Sequence, residues 1–227
     1  MALMSWPLLG HTDESGPPSA AWHHRTGSAE YHLEASLLLQ TLNADLLSHD
    51  SATLTLERWC ADQKLAPSPR IVVERVRGAE KAPTDEQLKQ LGVKDAASVH
   101  YRQVKLMCGS VALSEADNWY VPERLTPEIN KVLETTDTPF GRAVQSLNFR
   151  RHTISAKVLA QLLPDRWWEL RSTDLAARSQ SLCLPAHVLE HRAILSLPDG
   201  TPFSEVVETY TANVLTAFRA KISECPP

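Results

Sequence analysis

The chain has only 8 glycines in 227 residues, and none of them falls in a G-x-G-x-x-G or G-x-x-x-x-G-K-[ST] arrangement. Dinucleotide and phosphate-loop chemistry therefore lack the backbone that would cradle their phosphates. G-x-S-x-G and H-E-x-x-H are also absent, which removes the starting point for an esterase elbow or a zincin site. The four cysteines, Cys60, Cys108, Cys183 and Cys225, lie far apart with no C-x-x-C spacing. Neither a structural zinc site nor a compact disulfide framework is suggested, and reduced thiols in a cytoplasmic protein are the expectation. No run of 18 apolar residues occurs, and residues 1–10 have no basic residue ahead of their short apolar stretch, so neither secretion nor a membrane span is expected. Charge of one sign is scarce too. A formal −4 at pI 6.1 argues against general affinity for nucleic acid or anionic membrane surfaces.

With 43% hydrophobic and 22% charged residues, the chain can bury one well-formed core. Residues 1–28 are interrupted by Pro7, Gly10, Gly16, Pro17, Pro18 and Gly27 and read as a flexible N-terminal arm. Residues 29–227 are assigned to a single domain. Leu33, Leu37, Leu38, Leu42 and Leu46 recur mostly at spacings of four and predict an amphipathic helix, followed by a second with Asp50 or Ser51 as N-cap. The stretch from Arg70 to Gly78 reads as a strand. Thr84 and Gln87 are spaced as a capping box, with Gly92 at the helix end. Two strands, 97–108 and 111–121, meet at Gly109-Ser110. Thr126-Pro127 and Thr138-Pro139 each predict a helix opened by a capping threonine and a proline at the first position. Residues 149–158 form a further strand, and Trp167 and Trp168 are expected to anchor a helix on the sheet. Strands 188–197 and 202–211 flank the turn Pro198-Asp199-Gly200-Thr201, and 212–224 has helical spacing. Hairpins without a βαβ rhythm predict an α+β fold, a mostly antiparallel sheet with helices packed against it.

Two side chains stand out chemically. Alternation along 97–108 puts His100, Arg102, Val104 and Leu106 on one face, so a guanidinium shares an apolar surface and needs a partner. A ligand carboxylate suits its bidentate fork; an internal carboxylate or a position near the strand edge would serve as well. In the last strand, Val206, Glu208 and Tyr210 share one face and Glu205, Val207, Thr209 and Thr211 the other. Glu208 among apolar neighbours suits hydrogen bonding to a hydroxyl or proton exchange, while a salt bridge to Arg102 or exposure on an edge is its structural alternative. A bulge before Glu208 would exchange its face with that of Glu205. His187 and His191, with Glu190 between them, have helical metal-ligand spacing, but the segment reads as a strand without a third ligand, and a solvated surface is the preferred assignment.

Taken in order, Tyr101-Arg102-Gln103-Val104-Lys105-Leu106, Trp119-Tyr120-Val121-Pro122 with Leu125, Thr138-Pro139-Phe140-Gly141-Arg142, and Leu195–Pro202 running into Val206-Val207-Glu208-Thr209-Tyr210 resemble the chorismate lyase family (chorismate pyruvate-lyase, 4-hydroxybenzoate synthase) and its wider superfamily, which includes ligand-sensing domains of transcription regulators. The resemblance covers roughly residues 45–215. It implies an antiparallel sheet enclosing a buried pocket, and elimination of pyruvate from chorismate to give 4-hydroxybenzoate for ubiquinone synthesis, without metal or organic cofactor. The alternative it implies is a non-catalytic, sensor-like binding domain. Partners would be small aromatic or cyclohexadiene carboxylates, with no nucleic acid and no membrane span. By resemblance, Arg102 and Glu208 would act in catalysis, Arg102 holding the ring carboxylate and Glu208 the ring hydroxyl, with Phe140 and Ala52 lining the pocket. The chain departs from the family pattern at Asn118, where the enzymes carry an arginine, at Ala52 in place of a methionine-like side chain, and at Phe140 in place of leucine. The segment 157–187 is longer than a compact lyase needs.

Overall fold

The computed structural model describes residues 29–179 and 184–215. The expected N-terminal arm and positions 216–224 of the expected last helix lie outside them. Two helices come first: α1 (Ala29–Ser48), built of alanine, leucine and glutamine without glycine or proline, and α2 (Ala52–Asp62). Ser51 is the N-cap of α2, its hydroxyl accepting from the Leu54 amide. After β1 (Ile71–Val76), the short α3 (Asp85–Leu91) has the expected capping box between Thr84 and Gln87 and ends on Gly92 with φ of 64°. The hairpin β2 (His100–Cys108) and β3 (Val111–Tyr120) turns at Gly109, whose φ of 59° is left-handed. Then come α4 (Pro127–Thr135), capped by Thr126, the single turn α5 (Phe140–Ala143), β4 (Arg150–Val158), α6 (Ser172–Ser179), and the closing hairpin β5 (His187–Ser196) and β6 (Pro202–Thr211).

The six strands form one antiparallel sheet in the order β1-β2-β3-β6-β5-β4. The fold is α+β, as the hairpin-rich pattern predicts. One face of the sheet is covered by α1 and α2. Tyr31, Ala35, Leu39, Leu42 and Leu46 of α1 and Leu56 and Trp59 of α2 pack on Val104, Leu106, Ala116, Val206 and Tyr210. Each fully buried leucine contributes on the order of 1.5–3 kcal/mol. At one end of that face, α4 and α5 close a second cluster around Tyr120, Leu133, Phe140, Leu195 and Phe203. The opposite face carries a smaller cluster of Leu91, Val99, Trp119 and Val121 beside α3.

Four expectations are corrected. The buried stripe of α1 runs through Tyr31, Ala35 and Leu39, while Leu37 is exposed; leucines lie on several sides of this helix, and spacings of four fit both stripes. α5 begins at Phe140 with Pro139 in the cap position and no side-chain cap, because proline has no side-chain acceptor and the Thr138 hydroxyl accepts from Thr136 Oγ1 at 2.8 Å instead. Trp167 and Trp168 stack on each other edge to face in a 3-10 turn, and Trp168 is largely exposed, so neither anchors a helix on the sheet. Finally, Cys60 at the end of α2 and Cys108 at the end of β2 form a disulfide. Their Cα atoms lie 6.1 Å apart although 48 residues separate them, a proximity that only the tertiary fold creates.

Candidate functional site

The register of the central strands assigns faces. Arg102 lies opposite Asn118, Asn118 opposite Val206, Ala116 opposite Glu208, and Glu208 opposite His191. No irregularity interrupts the β3–β6 pairing, so Glu208 stays on the helix-covered face and Glu205 on the other. Both carboxylates are buried, for different reasons. Glu205 accepts from Arg192 Nε at 2.6 Å and from Gln87 Nε2 at 3.2 Å, which docks α3 onto the outer face. Glu208 accepts from Arg151 Nη2 at 2.6 Å and from the Tyr210 hydroxyl at 3.2 Å.

The Arg151 and Glu208 side chains are 6% and 8% exposed, so this is an ion pair largely removed from water. Burial pulls the Arg151 guanidinium down, but the charges of Glu208 and Tyr210 and the hydrogen bond to Glu208 outweigh it and leave the group above its ordinary value. Burial and the neighbouring Glu208 drive the Tyr210 phenol well up, so it remains a donor. His191, across the strand from Glu208, has its ring 5.5 Å from that of Tyr210, and its Nε2 hydrogen-bonds Asn43 Oδ1 at 2.8 Å. The expectation of a solvated His187–His191 surface therefore fails for His191, which is fully buried. A bulge between His187 and Leu189 turns His187 toward Glu115 on the outer face. Among the described residues no group of three or more metal-ligating side chains is found.

The burial of His191 makes a pH prediction. Burial, partly offset by Glu208, lowers its pKa from 6.5 to about 4. The unfolded state therefore binds more protons than the folded state between those values, and stability falls as pH drops through that window, by up to roughly 3 kcal/mol. His191→Gln, which keeps a donor for Asn43, should flatten the dependence of urea midpoint on pH between 6.5 and 4. Equal slopes for the two proteins would contradict the assignment.

Glu208 and Arg151 line a small inner cavity of about 30 Å³ together with Ala52, Thr53, Val104, Leu106, Ala116, Asn118, Phe140 and Val206. That volume suits a water or two, far less than a drug-sized ligand occupies. The cavity adjoins a wider cleft of about 190 Å³ that opens past Leu54, Arg142, Gln145 and Asn148; Asp50, Ser51, Thr53, Gly141 and Phe149 line both. The Thr-Pro-Phe-Gly-Arg motif shapes this boundary. Phe140 packs between Tyr120 and Phe203, a Cβ on Gly141 would sit 3.4 Å from Ser51 Oγ, and Arg142 bonds Glu57 Oε2 at 3.1 Å. The same Glu57 oxygen accepts from the Ile71 amide, so the motif ties α5 to α2 and β1.

Of the four residues expected to share a pocket, Glu208, Phe140 and Ala52 line the inner cavity. Arg102 is on the same sheet face but borders a different, polar cleft beside Arg75, Thr136 and Asp137. Its Nη2 donates to the Thr138 carbonyl at 2.9 Å, while Nε and Nη1 are buried without a partner. Burial first, and Arg75 second, lower its pKa to about 10. Neither alternative partner for Glu208 is realised: its partner is Arg151, which sequence reasoning missed. The signal was present, since alternation along β4 puts Arg151 on the same face as the apolar Phe149.

Comparison with known proteins adds the following. No family model matches the chain. It is 50% identical over 190 residues to the uncharacterized protein y4mC of Sinorhizobium fredii, covering 83% of this chain and 80% of that one. Among solved structures it is similar to the effector domain of PhnF from Mycobacterium smegmatis, with 14% identity and a TM-score of 0.47, covering 72% of this chain and 90% of that one. It is also similar to a GntR-family transcriptional regulator from Bacillus cereus, with 12% identity and a TM-score of 0.39, covering 63% and 92% of the two chains.

Proposed function

The chain belongs to the family of the uncharacterized protein y4mC, and from that premise we propose that it is a non-catalytic domain binding a small aromatic or cyclohexadiene carboxylate in the inner cavity and its adjoining cleft. The observation that carries this reading is the state of Glu208. Its Oε2 accepts both from the buried Arg151 at 2.6 Å and from the Tyr210 hydroxyl, which fixes the carboxylate as part of the cavity wall and gives it a structural task in place of a catalytic one. The walls of the site, Val104, Leu106, Phe140, Phe149 and Val206, suit an apolar ring, and Arg151 and Asn118 supply polar contacts at its floor. A ring exceeds the 30 Å³ available, so binding requires Phe149, which borders both compartments, to move aside. Asn118 offers hydrogen bonds without charge and fits recognition better than stabilisation of an eliminating anion.

A second reading, a chorismate-type lyase, is favoured by Arg102 and Glu208 lying buried on one sheet face. One experiment separates the two. The purified protein is incubated with chorismate while 4-hydroxybenzoate and pyruvate are followed, and in parallel it is titrated calorimetrically with 4-hydroxybenzoate. Saturable binding without product, weakened by Phe149→Trp, is the expected result. Stoichiometric formation of both products would replace the binding reading with the lyase, and neither binding nor turnover would sink both.

A further inference from the structure

The cleft that Arg102 borders has no role in the site above. Its cavity of about 540 Å³ lies where β1 and β2 run out under the connection from α4 to α5. Opposite residues in an antiparallel pair share a face, and Arg75 is paired with Val104, so Arg75 projects on the same side as Arg102, while Arg77, in the turn after β1, lines the same cleft. Three guanidinium groups thus converge at one corner of the sheet. None of them forms an ion pair with a described carboxylate. Arg75 Nη1 donates to the Glu134 carbonyl at 2.7 Å and Arg102 Nη2 to that of Thr138, contacts that orient both groups without neutralising them.

Arg102 is 98% buried by its 2% exposure, yet two of its three nitrogens lack a partner. A buried, incompletely satisfied guanidinium costs several kcal/mol and persists where a complementary anion repays it. The cleft is not of one sign, since Glu80, Glu134 and Asp137 line it as well. A ligand with an oxyanion at one end and a hydroxyl donor at the other satisfies both sets.

We propose that this cleft is a second ligand site, separate from the inner cavity, in which Arg75, Arg77 and Arg102 hold the oxyanion of a small hydroxy acid. The connection from α4 to α5 covers Arg102 and leads directly into Phe140 at the start of α5, so occupation of the cleft acts on the wall of the inner cavity.

The test is calorimetric titration of the whole chain with L-malate and, separately, inorganic phosphate, in wild type and in Arg75→Gln/Arg77→Gln. Both substituted positions are at least partly exposed, and the double variant should melt within a few degrees of wild type. Saturable binding of L-malate or phosphate in wild type, weakened about tenfold or more in the variant, is the expected outcome. Tighter binding of L-malate identifies a hydroxy acid and tighter binding of phosphate a phosphate ester as the natural oxyanion source. No saturable binding of either, or equal affinity in the two proteins, overturns the proposal. Neither result bears on binding of 4-hydroxybenzoate at the inner cavity, which the variant retains.

Discussion

Arg151→Met is expected to lower the free energy of unfolding by about 3–5 kcal/mol, because it leaves the Glu208 carboxylate buried with only the Tyr210 hydroxyl to answer it. For a domain of this size that corresponds to a fall in melting temperature of about 10 °C. Glu208→Gln should cost as much or slightly less, since an amide still accepts from Tyr210 while Arg151 is stranded. The double variant Arg151→Met/Glu208→Gln separates a charge effect from simple loss of packing. If the single-variant cost arises from an unpaired buried charge, the double variant recovers most of it, since an apolar or neutral replacement of a buried pair is close to neutral. Additive losses in a thermal or urea double-mutant cycle would mean that the pair contributes through packing alone. The result also bears on function. A carboxylate that cannot lose its partner without such a cost is part of the scaffold of the cavity, and a ligand must bind around the ion pair without displacing it.

Much of the scaffold could be read from residues. Period-two alternation predicted which side chains of β2 and β6 share a face, and the register bears this out from Arg102 to Leu106 and from Val206 to Tyr210. Local capping signals were equally legible at Ser51, Thr84, Gly92 and Thr126, since each depends only on neighbours within a turn. What could not be read depends on contacts across the sheet. Sequence presents Arg150-Arg151-His152 as a polar run in a strand; only the placement of β4 beside β5, with Arg151 opposite Leu195, aims one of these three at Glu208. Arg102 and Glu208 lie on one face, but two paired-strand steps separate them, β2 to β3 and β3 to β6, and Val104, Ala116 and Val206 line the cavity on the Glu208 side. A shared face is thus not a shared pocket. Asn118, opposite both Arg102 and Val206, lines the inner cavity and not the cleft that Arg102 borders.

The second large effect is expected from the disulfide. Cys60 and Cys108 are fully buried in the main core, and their bond closes a loop of 48 residues that holds α2, β1 and α3 against β2. Constraining the unfolded chain over such a loop is worth about 2–4 kcal/mol. Reduction, or Cys60→Ala/Cys108→Ala, should therefore lower the urea midpoint with little change in the native near-ultraviolet spectrum. The two treatments should agree closely, because alanine and a buried thiol differ little in volume. Thiol titration in denaturant is the decisive count: of the four cysteines in the chain, no more than two should react before reduction and four after it. Four reactive thiols at the outset, with reduced and untreated protein unfolding at the same midpoint, would restore the reading of the chain as an ordinary reduced protein. The consequence reaches the cavity, because Cys60 is in the helix whose first turn holds Ala52 and Thr53, and Cys108 ends the strand that contributes Val104 and Leu106. The bond ties together two walls of one site. In a reducing compartment, where such bonds rarely persist, those walls would be held by packing alone, and the affinity for a ring-sized ligand should become sensitive to the redox state of the solution.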